Sequence, residues 1–387
     1  MEDSDIIRHQ RRHFLKLSGV LMGGGALGGL SPSVQAQPAL ADFTPPSAAH
    51  PIRINFNENP LGMSPKAQAV ARETVSMANR YPMDEMQMLR KQLAMQHKVP
   101  EKSVILTLGA TEAIRIVIEA LAGPQVQLVT PELTFSAAED YARFNGVTIT
   151  RIPMAANWGI DLAAMKKAVD DYQGLSLVYL VNPNNPTGSI CHADEVEAWI
   201  NSKPANTLFM LDEAYAEFAD DPKFRSVTPL LSAGADNIVL LKTFSKLFAM
   251  AGMRVGYAVT TEALVAKMQT RIGDNMLSYC GLKAAMASLT DTAFIDYSRT
   301  SNQTSRQILL QALNTLKIPY LPSNTNFIFH QLNVPLAEYQ AHMQQAGIIV
   351  GRAFPPADNW CRVSLGTPQE MTHVASVMLD FAKKGWI

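Results

Sequence analysis

One loop of the sequence joins an amine, two hydroxyls and a guanidinium. The apolar run "NIVLL" leads into "KTFSKLFAMAGMRVGY", which contains Thr243, Ser245, Lys246 and Arg254. A desolvated lysine can form a Schiff base with an aldehyde, and hydroxyls beside an arginine can bind a phosphate group. Alone, this pattern would suit any anion site, so its chemistry depends on what other loops bring to the same place.

Two further loops supply complementary groups. "NPNNPTG", residues 182–188, is a rigid turn that can aim the Asn185 side chain at a ligand, and "TLFML" leads into Asp212 with Tyr215 three residues on. Taken singly, "NPNNPTG" is equally consistent with a simple tight turn between two elements, and Asp212 with a carboxylate that only caps backbone N–H groups. Together with Lys246 they match pyridoxal phosphate, because a carboxylate holds a pyridine nitrogen protonated while an amide and a phenol bind a ring oxygen.

Short apolar runs and helical patterns alternate through most of the chain, and these elements must position the loops. Such alternation predicts a mostly parallel sheet with helices on both faces, and ligands collect at the carboxyl ends of its strands. A helix from about Thr292 to Leu316, the strands "NFIFH", "GIIV" and "CRVSL", and a helix from Pro368 predict a second, smaller α+β domain. The predicted strands of the sheet are "SVILTL", "VQLVT", "VTITRIPM", "LSLVYL", "TLFML", "NIVLL" and "RVGYAVT".

Six motifs in order give most of the chain a family resemblance. From about Asn57 onward it resembles a fold-type I pyridoxal-phosphate aminotransferase, most closely the histidinol-phosphate aminotransferase branch, through "NENPLG", "RYP", "NPNNPTG", "DEAYAEF", "TFSKLFAMAGMRVGY" and "RVSLGT". The resemblance implies an α/β fold with a large, doubly wound, mostly parallel sheet domain and a smaller α+β domain. The implied boundaries are 57–80 for the N-terminal part of the small domain, 81–290 for the large cofactor-binding domain and 291–387 for the C-terminal small domain.

The resemblance also implies roles for the cofactor-binding residues. Lys246 would be the Schiff-base lysine and proton carrier, Asp212 would pair with the pyridinium nitrogen, and Asn185 and Tyr215 would bond the ring oxygen, so that Lys246, Asp212 and Tyr215 are the predicted catalytic residues. Phe135 is expected to stack on the ring. The residues expected to hold the phosphate are Thr243, Ser245, Arg254 and the start of a helix at Gly109, Ala110 and Thr111.

Three more residues acquire roles toward the substrate and a partner subunit. By the same resemblance, Arg362 grips the substrate α-carboxylate as a fork and Asn59 contacts the substrate. Tyr81 matches the residue that reaches the phosphate of the partner subunit's cofactor. The resemblance therefore predicts a homodimer.

Two departures from the family pattern bear on these roles. Thr111 stands where an acidic residue is usual, and its hydroxyl can still contact phosphate. "GIIVGRAFPPADNW" replaces a shorter, different stretch before Arg362, which leaves the substrate open. Arg352 in this segment binds a second acidic group or is a solvated surface arginine, and we slightly favour the surface position.

The predicted activity is amino-group transfer between an amino acid or related amine, of the histidinol-phosphate or aromatic type, and a 2-oxo acid such as 2-oxoglutarate. Lys246, Asp212 and Asn185 would equally serve a pyridoxal-phosphate-dependent decarboxylase or lyase, which is the alternative. Arg362 favours transamination, because a gripped carboxylate is retained. A non-catalytic pyridoxal-binding protein would be expected to lack the lysine or the aspartate, and both are present.

The N-terminal stretch "RRHFLKLSGVLMGGGALGG", residues 11–29, combines two signals. Gly23, Gly25 and Gly28 have dinucleotide-fingerprint spacing, but no apolar strand precedes them and a Pro/Ala/Ser-rich linker follows. Two arginines before a short apolar run resemble a twin-arginine signal, and the run is too short for a membrane anchor. We predict a signal peptide over 1–36, a linker over 37–56, a twin-arginine export machinery as partner and a periplasmic location, where histidinol phosphate is not obviously accessible.

Composition narrows the class of protein. With 387 residues, 47% hydrophobic and 17% charged, the chain can bury a large core and divide into about two domains. A formal net charge of -1 gives no basic field for phosphate backbones, so we expect no nucleic-acid partner. Cys191, Cys280 and Cys361 lie too far apart for a zinc pattern or a disulfide framework, and we predict no metal site.

Overall fold

A seven-stranded sheet carries the loops singled out above. The computed structural model describes residues 43–273 and 276–387. The sheet has the order β2-β8-β7-β6-β5-β3-β4, in which β8 is antiparallel to both neighbours and the other pairs are parallel. The strands are β1 (Ile52–Arg53), β2 (Val104–Thr107), β3 (Val126–Pro131), β4 (Thr148–Ile152), β5 (Leu175–Val181), β6 (Thr207–Asp212), β7 (Ile238–Thr243), β8 (Gly256–Val259), β9 (Phe327–Gln331), β10 (Ile348–Ile349) and β11 (Trp360–Ser364).

Helices cover both faces of this sheet and the C-terminal strands. The long helix predicted over Thr292–Leu316 is confirmed, as is the last helix from Pro368, which begins with a capping box of Thr367 and Glu370. The α-helices of the described residues are α1 (Pro65–Thr74), α2 (Met83–His97), α3 (Ala110–Leu121), α4 (Ala137–Phe144), α5 (Leu162–Asp170), α6 (Ala193–Asn201), α7 (Thr228–Ser232), α8 (Glu262–Gln269), α9 (Tyr279–Leu289), α10 (Thr292–Leu316), α11 (Leu336–Gln345) and α12 (Pro368–Lys383).

The predicted mostly parallel sheet is confirmed, with β8 as the exception. Every residue of β3, β6 and β7 is buried, as expected for strands covered on both faces. The strand β8 follows β7 after residues 244–255, which contain only a short 3₁₀ turn at Ala251–Met253. A parallel return needs a crossover, usually a helix, so the chain doubles back and β8 runs antiparallel.

The C-terminal strands form two small sheets outside the main one. Strands β9 and β11 pair antiparallel, with Arg362 opposite Phe329, and β1 pairs parallel with β10. They pack with α10, α11 and α12 around a separate apolar cluster. The predicted boundaries at 80/81 and 290/291 stay predictions, although all seven strands of the main sheet lie within 81–290.

The remaining predictions concern the N-terminal segment, membrane spans and the cysteines. The predicted signal peptide over 1–36 and residues 37–42 of the linker lie outside the described residues. Among helices within the described ranges, none is long and apolar enough to cross a membrane. Cys191 and Cys361 are buried free thiols and Cys280 is a partly exposed one.

Candidate active site

The sheet brings the predicted loops to one edge. Val181 at the end of β5 pairs with Asp212 at the end of β6, and Asp212 pairs with Leu241 in β7. Because these strands are parallel, the turn after β5, Asp212 and the Lys246 loop leave the sheet on the same side. The antiparallel β8 places Gly256 beside Thr243, at the same edge.

Two glycines allow the loop after β2 to approach the start of β8. A Cβ on Gly256 would lie 2.5 Å from the carbonyl carbon of Gly109, and a Cβ on Gly109 would lie 2.6 Å from Nη2 of Arg254. Gly109 has a φ of +88°, which disfavours other residues. The Arg254 guanidinium therefore lies against the glycine that precedes α3.

A cavity of about 380 Å³ opens at this edge. Most residues predicted from the sequence line it, together with Arg352, for which two roles were open, and with Asn57 and Phe354, which had no predicted role. The predicted residues in the lining are Ala110, Thr111, Phe135, Asn185, Asp212, Tyr215, Thr243, Ser245, Lys246, Arg254 and Arg362.

One end of the cavity is built to bind an anion. The Thr243 hydroxyl donates to Oγ of Ser245 at 2.9 Å and accepts from the Ser245 backbone N–H at 3.1 Å. Arg254 donates to the carbonyls of Ala251 and Leu108, which fixes its guanidinium beside them. The N-terminus of α3 has no side-chain cap, so its first N–H groups and its positive dipole end are available to a phosphate.

Asp212 is buried at the bottom of the cavity. Its carboxylate accepts hydrogen bonds from the Tyr179 hydroxyl at 3.1 Å and from the Ala214 N–H at 3.0 Å. Burial raises the pKa of Asp212 to about 6, although both hydrogen bonds and the charges of Lys242 and Lys246 act in the opposite direction. A cationic partner in the cavity would favour its ionised form.

Glu213, which follows Asp212 in the sequence, belongs to a largely buried cluster of three charged side chains. Lys242 Nζ lies 2.6 Å from Glu217 Oε1 and 3.5 Å from Glu213 Oε2. Burial alone would lower the pKa of Lys242, but the two carboxylates outweigh it and raise that pKa. The cluster thus holds a cation beneath the cavity and is paired within itself.

The Lys246 amine lies at the side of the cavity and contacts the segment after β1. Its Nζ donates to the carbonyl of Asn57 at 3.1 Å and to that of Phe56 at 3.3 Å. It also lies 5.7 Å from the centroid of the Tyr215 ring. The amine is therefore held by two backbone carbonyls and lies near the Tyr215 ring.

Arg362 projects into the cavity from β11 and is linked to Asn185. Its Nη1 donates to Asn185 Oδ1 at 2.7 Å and its Nη2 to the Asn55 carbonyl at 2.7 Å, while its buried Nε finds no acceptor among the described residues. Burial lowers the pKa of Arg362, with a smaller contribution from Arg352. Its hydrogen-bond partners are thus neutral, which leaves a buried cation ready for a carboxylate.

Arg352 is exposed, as we slightly favoured, but it also lines the cavity. The Phe354 ring lies 4.3 Å from Cζ of Arg352 and 4.9 Å from Cζ of Arg362. The segment "GRAFPP", which differs from the family pattern, therefore brings a second guanidinium to the part of the cavity that Arg362 lines. The alternative that Arg352 binds a second acidic group stays open.

Three predicted residues lie outside the lining. Asn59 donates instead to the Leu247 carbonyl at 2.9 Å and to the Ser298 hydroxyl at 2.7 Å, so the structure brings Asn57 and not Asn59 to the cavity. Tyr81 is 80% exposed, and its predicted reach into a partner subunit stays a prediction. Gly109 contributes indirectly, because its lack of a side chain leaves room for the Arg254 guanidinium.

Sequence reasoning missed Asn57 and Tyr179. Asn57 donates to the Tyr215 hydroxyl at 3.0 Å, and Tyr179 donates to Asp212. The signal for Tyr179 was a hydroxyl within the apolar strand "LSLVYL". For Asn57 it was the first asparagine of "NENPLG", whose second asparagine we assigned instead.

The donor set of the cavity fits pyridoxal phosphate. Hydroxyls, Arg254 and the α3 N-terminus suit the phosphate, and the buried carboxylate of Asp212 suits a protonated ring nitrogen. The amide of Asn185 and the phenol of Tyr215 suit the ring oxygen, and Lys246 suits the aldehyde carbon. Each polar end of that molecule therefore has a matching group in this structure.

Comparison with known proteins agrees with this geometry. The family model "Aminotransferase class I and II" matches residues 49–378. The chain is 32% identical over 321 residues to the histidinol-phosphate aminotransferase of Symbiobacterium thermophilum, covering 82% of this chain and 87% of that protein. It is 33% identical over 350 residues to histidinol-phosphate aminotransferase 2 of Pseudomonas fluorescens, covering 89% and 92%.

Solved structures give the same picture. A crystal structure from Erwinia carotovora atroseptica matches with a TM-score of 0.88 and 58% identity, covering 89% of this chain and all of that one. Histidinol-phosphate aminotransferase from Sinorhizobium meliloti, in complex with pyridoxal-5'-phosphate, matches with a TM-score of 0.77 and 25% identity, covering 90% of this chain and all of that one. The fold-type I architecture predicted from the sequence is confirmed.

Proposed function

This chain belongs to the aminotransferase class I and II family and is a pyridoxal-phosphate-dependent aminotransferase, and we propose that its 2-oxo acid acceptor carries a second anionic group. The proposed amino donor is an amino acid or amine of the histidinol-phosphate or aromatic type. The proposed acceptor is a 2-oxo acid, with 2-oxoglutarate as the best candidate.

One observation carries the substrate proposal: Arg352 and Arg362 line the same cavity, and within the described part of the chain neither has a carboxylate as an ion-pair partner. Arg362 is buried with neutral partners, and Arg352 contacts the same Phe354 ring from the exposed side. Arg352 also contributes to the lowered pKa of Arg362, so the two charges repel. A substrate with an α-carboxylate and a second acidic group relieves that repulsion and supplies both partners.

Cofactor binding follows from the strand-edge residues. Pyridoxal phosphate supplies an aldehyde that reacts with amines and a protonated ring that withdraws electron density. Thr243, Ser245 and Arg254 would bind its phosphate. Asp212, whose pKa burial raises to about 6, would hold the proton on the ring nitrogen through a charge-assisted hydrogen bond.

Proton transfer falls to Lys246. Its Nζ lies within hydrogen-bond distance of the Asn57 carbonyl, at the side of the cavity where a substrate held by Arg362 would present its α-carbon. The amine would remove the proton from that carbon and later return a proton. Arg362 orients the substrate by its carboxylate, which keeps the α-hydrogen and not the carboxylate in the reacting position.

The decarboxylase or lyase alternative has less support. Arg362 is positioned to retain a carboxylate, and the curated relatives described above are named aminotransferases. Half-reaction spectroscopy separates the classes, because a transaminase converts the cofactor to its amine form with an amino acid and back with a 2-oxo acid. Release of carbon dioxide from the amino acid would favour the alternative.

The substrate proposal is tested by comparing acceptors. We expect the wild-type enzyme to have a higher kcat/KM for 2-oxoglutarate than for pyruvate, and Arg352→Gln to reduce that ratio by about tenfold or more, since a hydrogen bond to a charged group contributes about 1.5–3 kcal/mol. Arg143→Gln, at an exposed arginine on α4, is the matched control. An unchanged ratio in Arg352→Gln would contradict the assignment, and full turnover by Lys246→Ala would contradict the mechanism.

A homodimer is supported by an exposed apolar surface. Val75, Tyr81, Met83 and Met88 lie close together in the sequence, from the end of α1 into the first half of α2, and are more than half exposed. Exposed apolar patches of this kind are typical of subunit interfaces. We expect an equal mixture of Tyr81→Ala and Lys246→Ala subunits, refolded together, to show more activity than the sum of the two variants, and no gain would contradict a shared site.

Export is proposed from the N-terminal sequence alone. The twin-arginine pattern and the short apolar run predict that the mature chain begins near Gln37 and works in the periplasm. Changing Arg11 and Arg12 together to lysine should leave an uncut, active enzyme inside the cell. Cell fractionation decides this, because a periplasmic lysine variant or an uncut cytoplasmic wild type would remove the proposal.

A further inference from the structure

The segment of residues 55–59, here called the strap, follows β1 and crosses the edge of the cavity. Arg362 donates to the carbonyl of Asn55, and Asn326 donates to the carbonyl of Asn57 at 3.0 Å. Lys246 donates to the same Asn57 carbonyl. The strap is thus fixed from β11, from the loop before β9 and from the Lys246 loop.

Asn57 is the buried centre of the strap. It is 1% exposed, and each of its polar atoms has a hydrogen-bond partner. Its backbone N–H donates to Oγ of Ser364 at 2.8 Å, and the Ser364 hydroxyl donates to Asn57 Oδ1 at 2.9 Å. Because Ser364 uses its one hydrogen on Oδ1, the amide nitrogen Nδ2 of Asn57 faces the Tyr215 hydroxyl, 3.0 Å away.

We propose that Asn57 is a positioning residue that directs the phenolic hydrogen of Tyr215 into the cavity. A phenol has one hydrogen and two acceptor sites. The Asn57 amide can only donate to it, so one acceptor site is occupied and the phenol keeps its hydrogen for a ligand. The inference rests on the proposed contact of Tyr215 with the cofactor ring oxygen, which is an acceptor.

The backbone of Asn57 does a second, separable task. Asn57 has a φ of +54°, a left-handed conformation that asparagine and glycine adopt most readily. This conformation sets the direction of its carbonyl, which accepts from Lys246. Glycine at this position keeps the backbone but removes the amide, so one substitution separates the contact with Tyr215 from the contact with Lys246.

The surroundings of Tyr215 define what else acts on its hydroxyl. The ring packs edge-on against Phe327, with centroids 5.2 Å apart. The charged and titratable groups that interact with it are Lys246, Arg362 and Tyr179. None of these appears as a hydrogen-bond partner of its hydroxyl among the described residues, whereas Asn57 does.

The test is the pH midpoint of the visible absorbance change of the bound cofactor in the holoenzyme. A donor to the ring oxygen stabilises its anion, so Tyr215→Phe should raise the midpoint. Asn57→Gly should raise it by about 0.5–1 pH unit, the worth of one hydrogen bond. In the Tyr215→Phe background, Asn57→Gly should add nothing, because the phenol through which it acts is absent.

Asn206→Gly is the matched control, since Asn206 is an exposed asparagine with a φ of +50° just before β6, and it does not line the cavity. It should leave the midpoint unchanged. An unshifted Asn57→Gly, a shift that persists in the Tyr215→Phe background, or loss of the cofactor from Asn57→Gly would overturn the inference. An unshifted Tyr215→Phe would instead remove the proposed role of Tyr215, and the inference with it.

Discussion

Arg362 offers the sharpest test of the site, because its charge is buried before any substrate arrives. It is 7% exposed, and its two hydrogen bonds of 2.7 Å go to a side-chain amide and a backbone carbonyl. Burying a cation without a carboxylate costs free energy. We therefore expect Arg362→Met to leave the thermal stability of the enzyme unchanged or raised, unlike most substitutions of buried residues.

The effect on catalysis should be large for the same reason. Removing one partner of a buried ion pair costs about 3–5 kcal/mol, which corresponds to a decrease of about 10²–10⁴-fold in kcat/KM for the amino acid. Arg362→Lys keeps the charge but cannot present two parallel donors, so its decrease should be intermediate. Cofactor affinity should change little, since the phosphate-binding end is formed by other residues.

Three measurements on each variant decide the matter: kcat/KM, the cofactor dissociation constant and the thermal midpoint. A decrease in kcat/KM of less than tenfold in Arg362→Met would refute its proposed role. Loss of cofactor and substrate affinity together with several degrees of thermal stability would refute it equally, because Arg362 would then stabilise the fold itself. The intermediate Arg362→Lys value distinguishes a lost fork from a lost charge.

Three further predictions concern groups around the cofactor. The folded pKa of Asp212, about 6, lies above the usual 3.8, so its stabilising contribution to the cofactor-free protein is present below pH 4 and is lost as pH rises through 6. In urea titrations, the unfolding free energy of the wild type minus that of Asp212→Asn should therefore fall by about 3 kcal/mol over that range. A difference that does not change with pH would contradict the argument that burial raises this pKa. Lys242→Met leaves the buried Glu213 and the partly buried Glu217 without their cation and should destabilise the fold by about 3–5 kcal/mol by the same assay, where a loss below 1 kcal/mol would show that the cluster is not tightly coupled. Gly109→Ala should weaken cofactor binding by about tenfold, because its Cβ meets Arg254 at a φ of +88°; Gly62→Ala, at a φ of +70° in open space, is the control that should keep normal affinity.

The sequence was enough to predict that three loops meet at one edge of the sheet, for a physical reason. Asn185, Asp212 and Lys246 each follow an apolar strand, and parallel strands deliver their carboxyl ends to one edge. The direction of the predicted strands was therefore sufficient to place these three residues near one another without a three-dimensional structure. The register of Val181 with Asp212 confirms that rule for the two central loops.

The strap could not be found in this way, because its contacts are with distant residues. Asn57 binds Tyr215, 158 positions away, and Ser364, 307 positions away. In "NENPLG" two asparagines stand two residues apart, and only the left-handed backbone at Asn57 turns the first toward the cavity. A backbone torsion of this kind leaves no periodic pattern in the sequence.

Arg362 and Asn185 connect these two parts of the site. The Asn185 oxygen accepts from Nη1 of Arg362, which leaves the amide nitrogen of Asn185 to donate to a ring oxygen. A substrate carboxylate would bind the remaining donors of the same guanidinium, among them the Nε–H that has no acceptor among the described residues, so substrate and Asn185 share one cation. Substrate binding at Arg362 would therefore be coupled to the cofactor ring through the Asn185 side chain.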